Sequence, residues 1–137
     1  MLCNSYSLTF LGVTALANAL PDMGALSSLN LSKNALLTKE AGKVLGDMLK
    51  GNSILKELDV SSNYDYHAGA TDGPGFTEEL SDGIKDNGAI STFTFSGDDK
   101  DSEPVTMETS MVEADFSRKG LGVSGAIMAA AFLPKCT

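Results

Sequence analysis

The chain of 137 residues, 14.3 kDa, has room for one domain with its own core and little room for a second. A composition of 42% hydrophobic and 20% charged residues excludes a disordered tail, a collagen-like chain and a membrane-spanning class. Eighteen acidic against ten basic residues give a formal charge of -8, and Arg118 is the one arginine. Nucleic acid, which demands a basic face rich in arginine, is therefore not an expected partner.

In chain order, the first apolar stretch runs from Leu8 to Leu20. No Lys or Arg precedes it and Asn18 interrupts it, so it is read as a helix of the folded protein and not as a secretion signal. Leu16 and Leu20, at i and i+4, give that helix one apolar stripe. Next comes Leu26-Ser-Ser-Leu29-Asn-Leu31-Ser-Lys-Asn34-Ala-Leu36, which satisfies LxxLxLxxNxL at each defined position. Leu45 and Leu49 then repeat the helical pair. Leu55-Lys-Glu-Leu58-Asp-Val60-Ser-Ser-Asn63 repeats the motif, both at an offset of 29 residues.

The segment 64–75 breaks the period with three glycines, a proline and two tyrosines, so it is expected to be a surface loop insertion. Leu80 and Ile84 form the third helical pair, and Ile90-Ser-Thr-Phe93-Thr-Phe95-Ser-Gly-Asp98 the third motif copy, both 35 residues after the second. The stretch 97–110 is too short for a helix before the next copy. Its acidic turn and the alternating Val105-Thr-Met-Glu-Thr predict a hairpin-like excursion. Met111-Val-Glu-Ala114-Asp-Phe116-Ser-Arg-Lys119-Gly-Leu121 is a fourth copy, and Gly125 to Pro134 mirrors Gly12 to Pro21 as the fourth helix. Four strands and four helices are thus expected. Motif positions 1, 4 and 6 should face a shared core, with the intervening residues pointing outward. Asn34 and Asn63 stand where an amide can bond the backbone of a buried turn in the adjacent copy, with Asp98 and Lys119 in their place further on.

This motif, a period near 29 and an Ala/Gly-rich helix after each strand resemble leucine-rich repeats of the ribonuclease-inhibitor type, and are similar to repeat arrays of algae and protists. The resemblance implies an α/β solenoid of about four repeats across residues 1–137, with a short curved parallel sheet inside and helices outside. It also implies that the inner sheet face is used for protein recognition.

The outward strand positions are then the candidate binding residues. They are Ser28, Glu57, Thr92 and Glu113 at position 3, and Asn30, Asp59, Thr94 and Asp115 at position 5, with Tyr64 and Tyr66 as aromatic anchors in the flanking loop. Position 7 is Ser32, Ser61, Ser96 and Ser117, either part of that polar face or serving local backbone bonds. Such a face suits a protein partner with a basic surface. The competing reading is a structural or self-associating piece of a longer array, a homodimer through exposed solenoid ends.

No chemistry is expected. His67 is the one histidine and sits in the glycine-rich loop, and Cys3 and Cys136 lie at opposite ends without a CxxC or Cys/His cluster. Asp99, Asp101 and Glu103 hint at a calcium loop, but Pro104 follows and the glycine of the sharp bend is missing. Gly120-Leu-Gly122-Val-Ser-Gly125 matches GxGxxG in spacing only, because no βαβ unit or acidic ribose partner accompanies it. The expectation is a non-enzymatic module without cofactor or metal, acting away from membranes in a reducing compartment, with the cytoplasm as the default.

Overall fold

The computed structural model describes residues 10–34, 38–63, 75–98 and 101–137. Four strands form one sheet in the order β1-β2-β3-β4: β1 (Ser28–Asn30), β2 (Glu57–Asp59), β3 (Thr92–Phe95) and β4 (Val105–Glu108). Pairing is parallel from β1 to β2 and from β2 to β3, and antiparallel from β3 to β4. The helices are α1 (Phe10–Ala19), α2 (Lys39–Gly51), α3 (Gly75–Asp86) and α4 (Gly122–Phe132), and each packs on the next in chain order. Short 3-10 turns extend α1 at Leu20–Asp22 and α4 at Leu133–Lys135.

The predicted apolar pairs place the helices. Leu45 and Leu49 on α2 and Leu80 and Ile84 on α3 are fully buried, and Leu20 is buried just past α1. Thr38 starts α2 by accepting the Ala41 N–H on Oγ1 at 3.2 Å, which satisfies one of the orphan donors of the first turn. Between α2 and α3 the contact is made through glycine. A Cβ on Gly46 would stand 2.5 Å from the Glu79 carbonyl oxygen, and one on Gly83 would stand 2.4 Å from that of Gly46.

Under the helices the strands alternate as a half-covered sheet requires. Leu55, Leu58 and Val60 of the second copy and Ile90, Phe93 and Phe95 of the third are all buried in one cluster with the helix residues. Each such side chain contributes roughly 1.5–3 kcal/mol on leaving water. Phe93 joins the layers, with its ring 5.2 Å from that of Phe95 and 6.0 Å from that of Phe132 on α4. Leu29 on the edge strand β1 is only half-buried.

The excursion 97–110 is hairpin-like as expected, but the source of the fourth strand changes, because the excursion supplies it: Val105 and Met107 point into the core while Thr106 and Glu108 point out. The fourth motif copy forms no strand. Its positions 1 and 6, Met111 and Phe116, are half-buried and its position 4, Ala114, is exposed. The reason is competition for one edge of β3. Val-Thr-Met-Glu alternates strictly and offers two bulky inward side chains, whereas the fourth copy offers only alanine at the central inward position. The sheet is consequently mixed and not wholly parallel. At the 64–75 segment, Gly75 already belongs to α3; the rest, with Tyr64, Tyr66 and His67, lies outside the described residues.

Candidate functional site: the open face of the sheet

Strand register sets two rows of side chains across the face that the helices leave uncovered. One row is Ser28, Glu57, Thr92, Glu108 and the other is Asn30, Asp59, Thr94, Thr106. Neighbouring strands lie about 4.8 Å apart, so Glu57 and Glu108, two strands from each other, stand roughly 10 Å apart. Six of the predicted residues, Ser28, Asn30, Glu57, Asp59, Thr92 and Thr94, are thereby brought together. Glu113 and Asp115 are not in the rows; Glu108 and Thr106 occupy the places expected for them, because β4 took the edge of β3.

The second row is partly committed to local structure. Asn30 Oδ1 accepts the Ser32 N–H at 2.9 Å, and Asp59 Oδ1 accepts the Ser61 N–H at 2.8 Å. These bonds turn the chain away at the end of each strand. The hydroxyls of Thr94 and Thr106 are joined at 2.9 Å. Two of the position-7 serines are structural here: Ser61 and Ser96 are buried, and Ser96 Oγ accepts the Ser62 N–H at 3.0 Å, whereas Ser32 is half-buried and Ser117 exposed.

Glu57 and Glu108 are exposed and form no ion pair with any described residue. No lysine or arginine stands in either row. The face therefore holds three carboxylates, Glu57, Asp59 and Glu108, among small hydroxyls and an amide. Asp115, off the sheet, has its carboxyl held below the usual range by the Ser117 hydroxyl and N–H, which favour the charged form.

Buried amides hold the strands in register below this face. Asn63 Nδ2 donates to the carbonyl of Val60 at 2.7 Å and to that of Leu31 in the preceding copy at 3.0 Å, while its Oδ1 accepts the Asn34 N–H at 2.7 Å. At the opposite end of the strands a second set was not foreseen. Asn87 Nδ2 donates to the carbonyls of Leu49 and Asn52 at 2.7 and 2.8 Å, and its Oδ1 accepts the N–H groups of Ala89 and Ile90. Asn52 makes the equivalent bonds to Ile54 and Leu55. The available signal was an asparagine three residues ahead of the second and third motif copies.

Past β4 the surface turns apolar. A shallow pocket of about 340 Å³ is lined by Met111, Val112, Glu113, Ala114, Leu133, Cys136 and Thr137. Cys136 is a half-buried free thiol that donates to the Glu108 carbonyl at 3.4 Å. Among the described residues no group of His, Cys, Asp and Glu is placed to hold a metal ion. No helix among them is long and apolar enough to cross a membrane. No family model, no curated protein and no solved structure matches the chain.

Proposed function

We propose that the chain is a leucine-rich-repeat module of the ribonuclease-inhibitor type, a short solenoid that captures a protein partner on its open sheet face and performs no chemistry. The observation that carries this reading is the face itself: three carboxylates in two strand rows with no basic group among them. A partner presenting lysine or arginine would gain encounter rate and register from such a surface. The asparagine bonds between turns 29 residues apart support the repeat assignment. The site of action in this reading is the cytoplasm, with neither nucleic acid nor membrane as a partner.

The test is capture by the immobilised chain, followed by identification of what is held. Glu57→Lys, Asp59→Lys and Glu108→Lys together should release the partner, while Asp82→Lys on the helix side should retain it. Equal capture by both variants refutes the reading.

A second reading, self-association through an end of the stack, is favoured by the surface past β4, where Val112 and Leu133 line the shallow pocket and are exposed. Sedimentation at rising concentration tests it: a dimer dispersed by Val112→Asp and Leu133→Asp supports it, and a persistent monomer removes it.

A further inference from the structure

The fourth motif copy forms no strand, yet it retains two features of the turn that follows a strand in the first two copies, although Lys119 stands where they carry asparagine. Position 8 is Lys33, Ser62 and Arg118 in copies one, two and four, and these are the three non-glycine residues with positive φ among the described residues, at 61, 56 and 56°. In the same copies the position-5 side chain accepts the N–H of position 7, and Ser117 to Asp115, at 2.8 Å, matches Ser61 to Asp59. A left-handed conformation at a side-chain-bearing residue is unfavourable and persists only where its surroundings impose it.

The turn also packs against the end of the third copy, displaced along the motif from the pairing seen between the first two copies, where Lys33 N–H meets the Ser61 carbonyl and Asn34 N–H meets Asn63 Oδ1. The Asp98 N–H donates to the Leu121 carbonyl at 3.3 Å, and Asp98 Oδ2 accepts the Ser124 N–H at 3.2 Å. Gly97 lies so close to Gly120 that a Cβ there would come within 2.0 Å of the Gly120 carbonyl oxygen. The strand itself is also out of place: Val112 is 97% exposed while β4 fills the edge of β3 with opposite polarity.

We infer that residues 111–116 and β4 are alternative occupants of one edge of β3, and that the chain exchanges between them. In the second register the fourth copy runs parallel to β3, with Glu113 opposite Thr92 and Asp115 opposite Thr94, as the motif alignment dictates. Met111, Ala114 and Phe116 enter the core in place of Val105 and Met107, and residues 97–110 become a crossover loop. That loop exceeds the dozen residues that parallel neighbours need. The turn at 117–121 slides along Gly97 and Asp98, because that register sets Gly97 beside Arg118 where it now meets Gly120. The exchange does not depend on whether the open face binds a partner.

Paired cysteines distinguish the registers in the full chain with Cys3 and Cys136 replaced by serine. Thr94→Cys with Thr106→Cys reports the β4 register, and Thr94→Cys with Asp115→Cys reports the parallel one. Under mild oxidation both pairs should close, the second more slowly. Failure of the second pair where the first closes fully overturns the exchange. Met107→Asp supplies an independent measurement, because it expels β4 by burying a charge in that register alone. Amide hydrogen exchange at residues 113–116 should slow by at least tenfold while Leu58 stays protected. Unchanged exchange there, or loss of protection at Leu58, counts against the proposal.

Discussion

Replacing Asn63 by alanine tests how much of the stack depends on a single amide. Asn63 is 3% exposed. Its removal does not strand every partner. The Leu31 carbonyl still accepts from Asn34 Nδ2, and the Ser61 carbonyl still accepts the Lys33 N–H. The Val60 carbonyl and the Asn34 N–H do lose the bond the amide supplied. A buried group left without its hydrogen bond costs about 1–3 kcal/mol. Asn34 gives up one bond of several, so the cost is set by the buried Val60 carbonyl, at about 2 kcal/mol. For a chain of this size that is a fall of roughly 7 °C in melting temperature.

Asn63→Asp sharpens the test. It keeps the acceptor for Asn34 but turns a carboxylate oxygen toward the carbonyls that the amide served. Burial and those carbonyls favour the protonated form in the folded chain, so proton uptake stabilises the fold. The deficit relative to the unsubstituted chain should therefore narrow as the pH falls from about 7 to about 4. Urea titrations of both variants measure this. A loss below about 1 kcal/mol for Asn63→Ala refutes the bridging role.

Glycine at the α2–α3 contact makes a second prediction. Gly46→Ala forces a Cβ onto the Glu79 carbonyl and should cost about 2 kcal/mol. Gly51→Ala, with nothing within 4 Å at the last turn of α2, should gain roughly 0.5 kcal/mol; equal effects in thermal melts would contradict the packing. At the surface, Lys119 donates to Glu103 at 2.8 Å and holds its carboxyl below the usual range. A depressed folded-state value means stabilisation present above the ordinary carboxylate range and lost as the pH drops through the depressed one. Lys119→Met should therefore move the Glu103 midpoint upward in an NMR titration and leave stability at neutral pH nearly unchanged, since both groups face solvent.

The helices and three of the strands were legible because their signal was redundant. Each i, i+4 pair and each inward triplet reported the same period, and Leu45, Leu49, Leu55, Leu58 and Val60 are all buried as that period required. The fourth strand was misplaced because two adjacent segments both suited β3. Periodicity identifies the family of equivalent positions but does not weigh Ala114 against Met107 for one slot. The same displacement moved two site residues, since Glu113 and Asp115 were assigned to the face by alignment and Glu108 holds the edge instead. Asn52 and Asn87 escaped notice because they precede the motif and their work is done through backbone bonds. Hydroxyls at position 7 matched a solvated face as well as a turn, and only burial of Ser61 and Ser96 separates the two.

The glycine contacts between α2 and α3 carry a consequence for geometry. Strands repeat at about 4.8 Å, whereas helices with ordinary side chains repeat at about 8–10 Å, and this difference bends a row of paired strands and helices into an arc. Gly42, Gly46 and Gly83 bring the two helix backbones together, which reduces the mismatch between helix and strand spacing at β2 and β3. Enlarging one of these glycines would act as a spacer on the helix side and bend the sheet more sharply beneath it, at the strands that carry Glu57 and Asp59. On the recognition function proposed above, residues on the covered side of the core would then govern how broad a partner the open side admits.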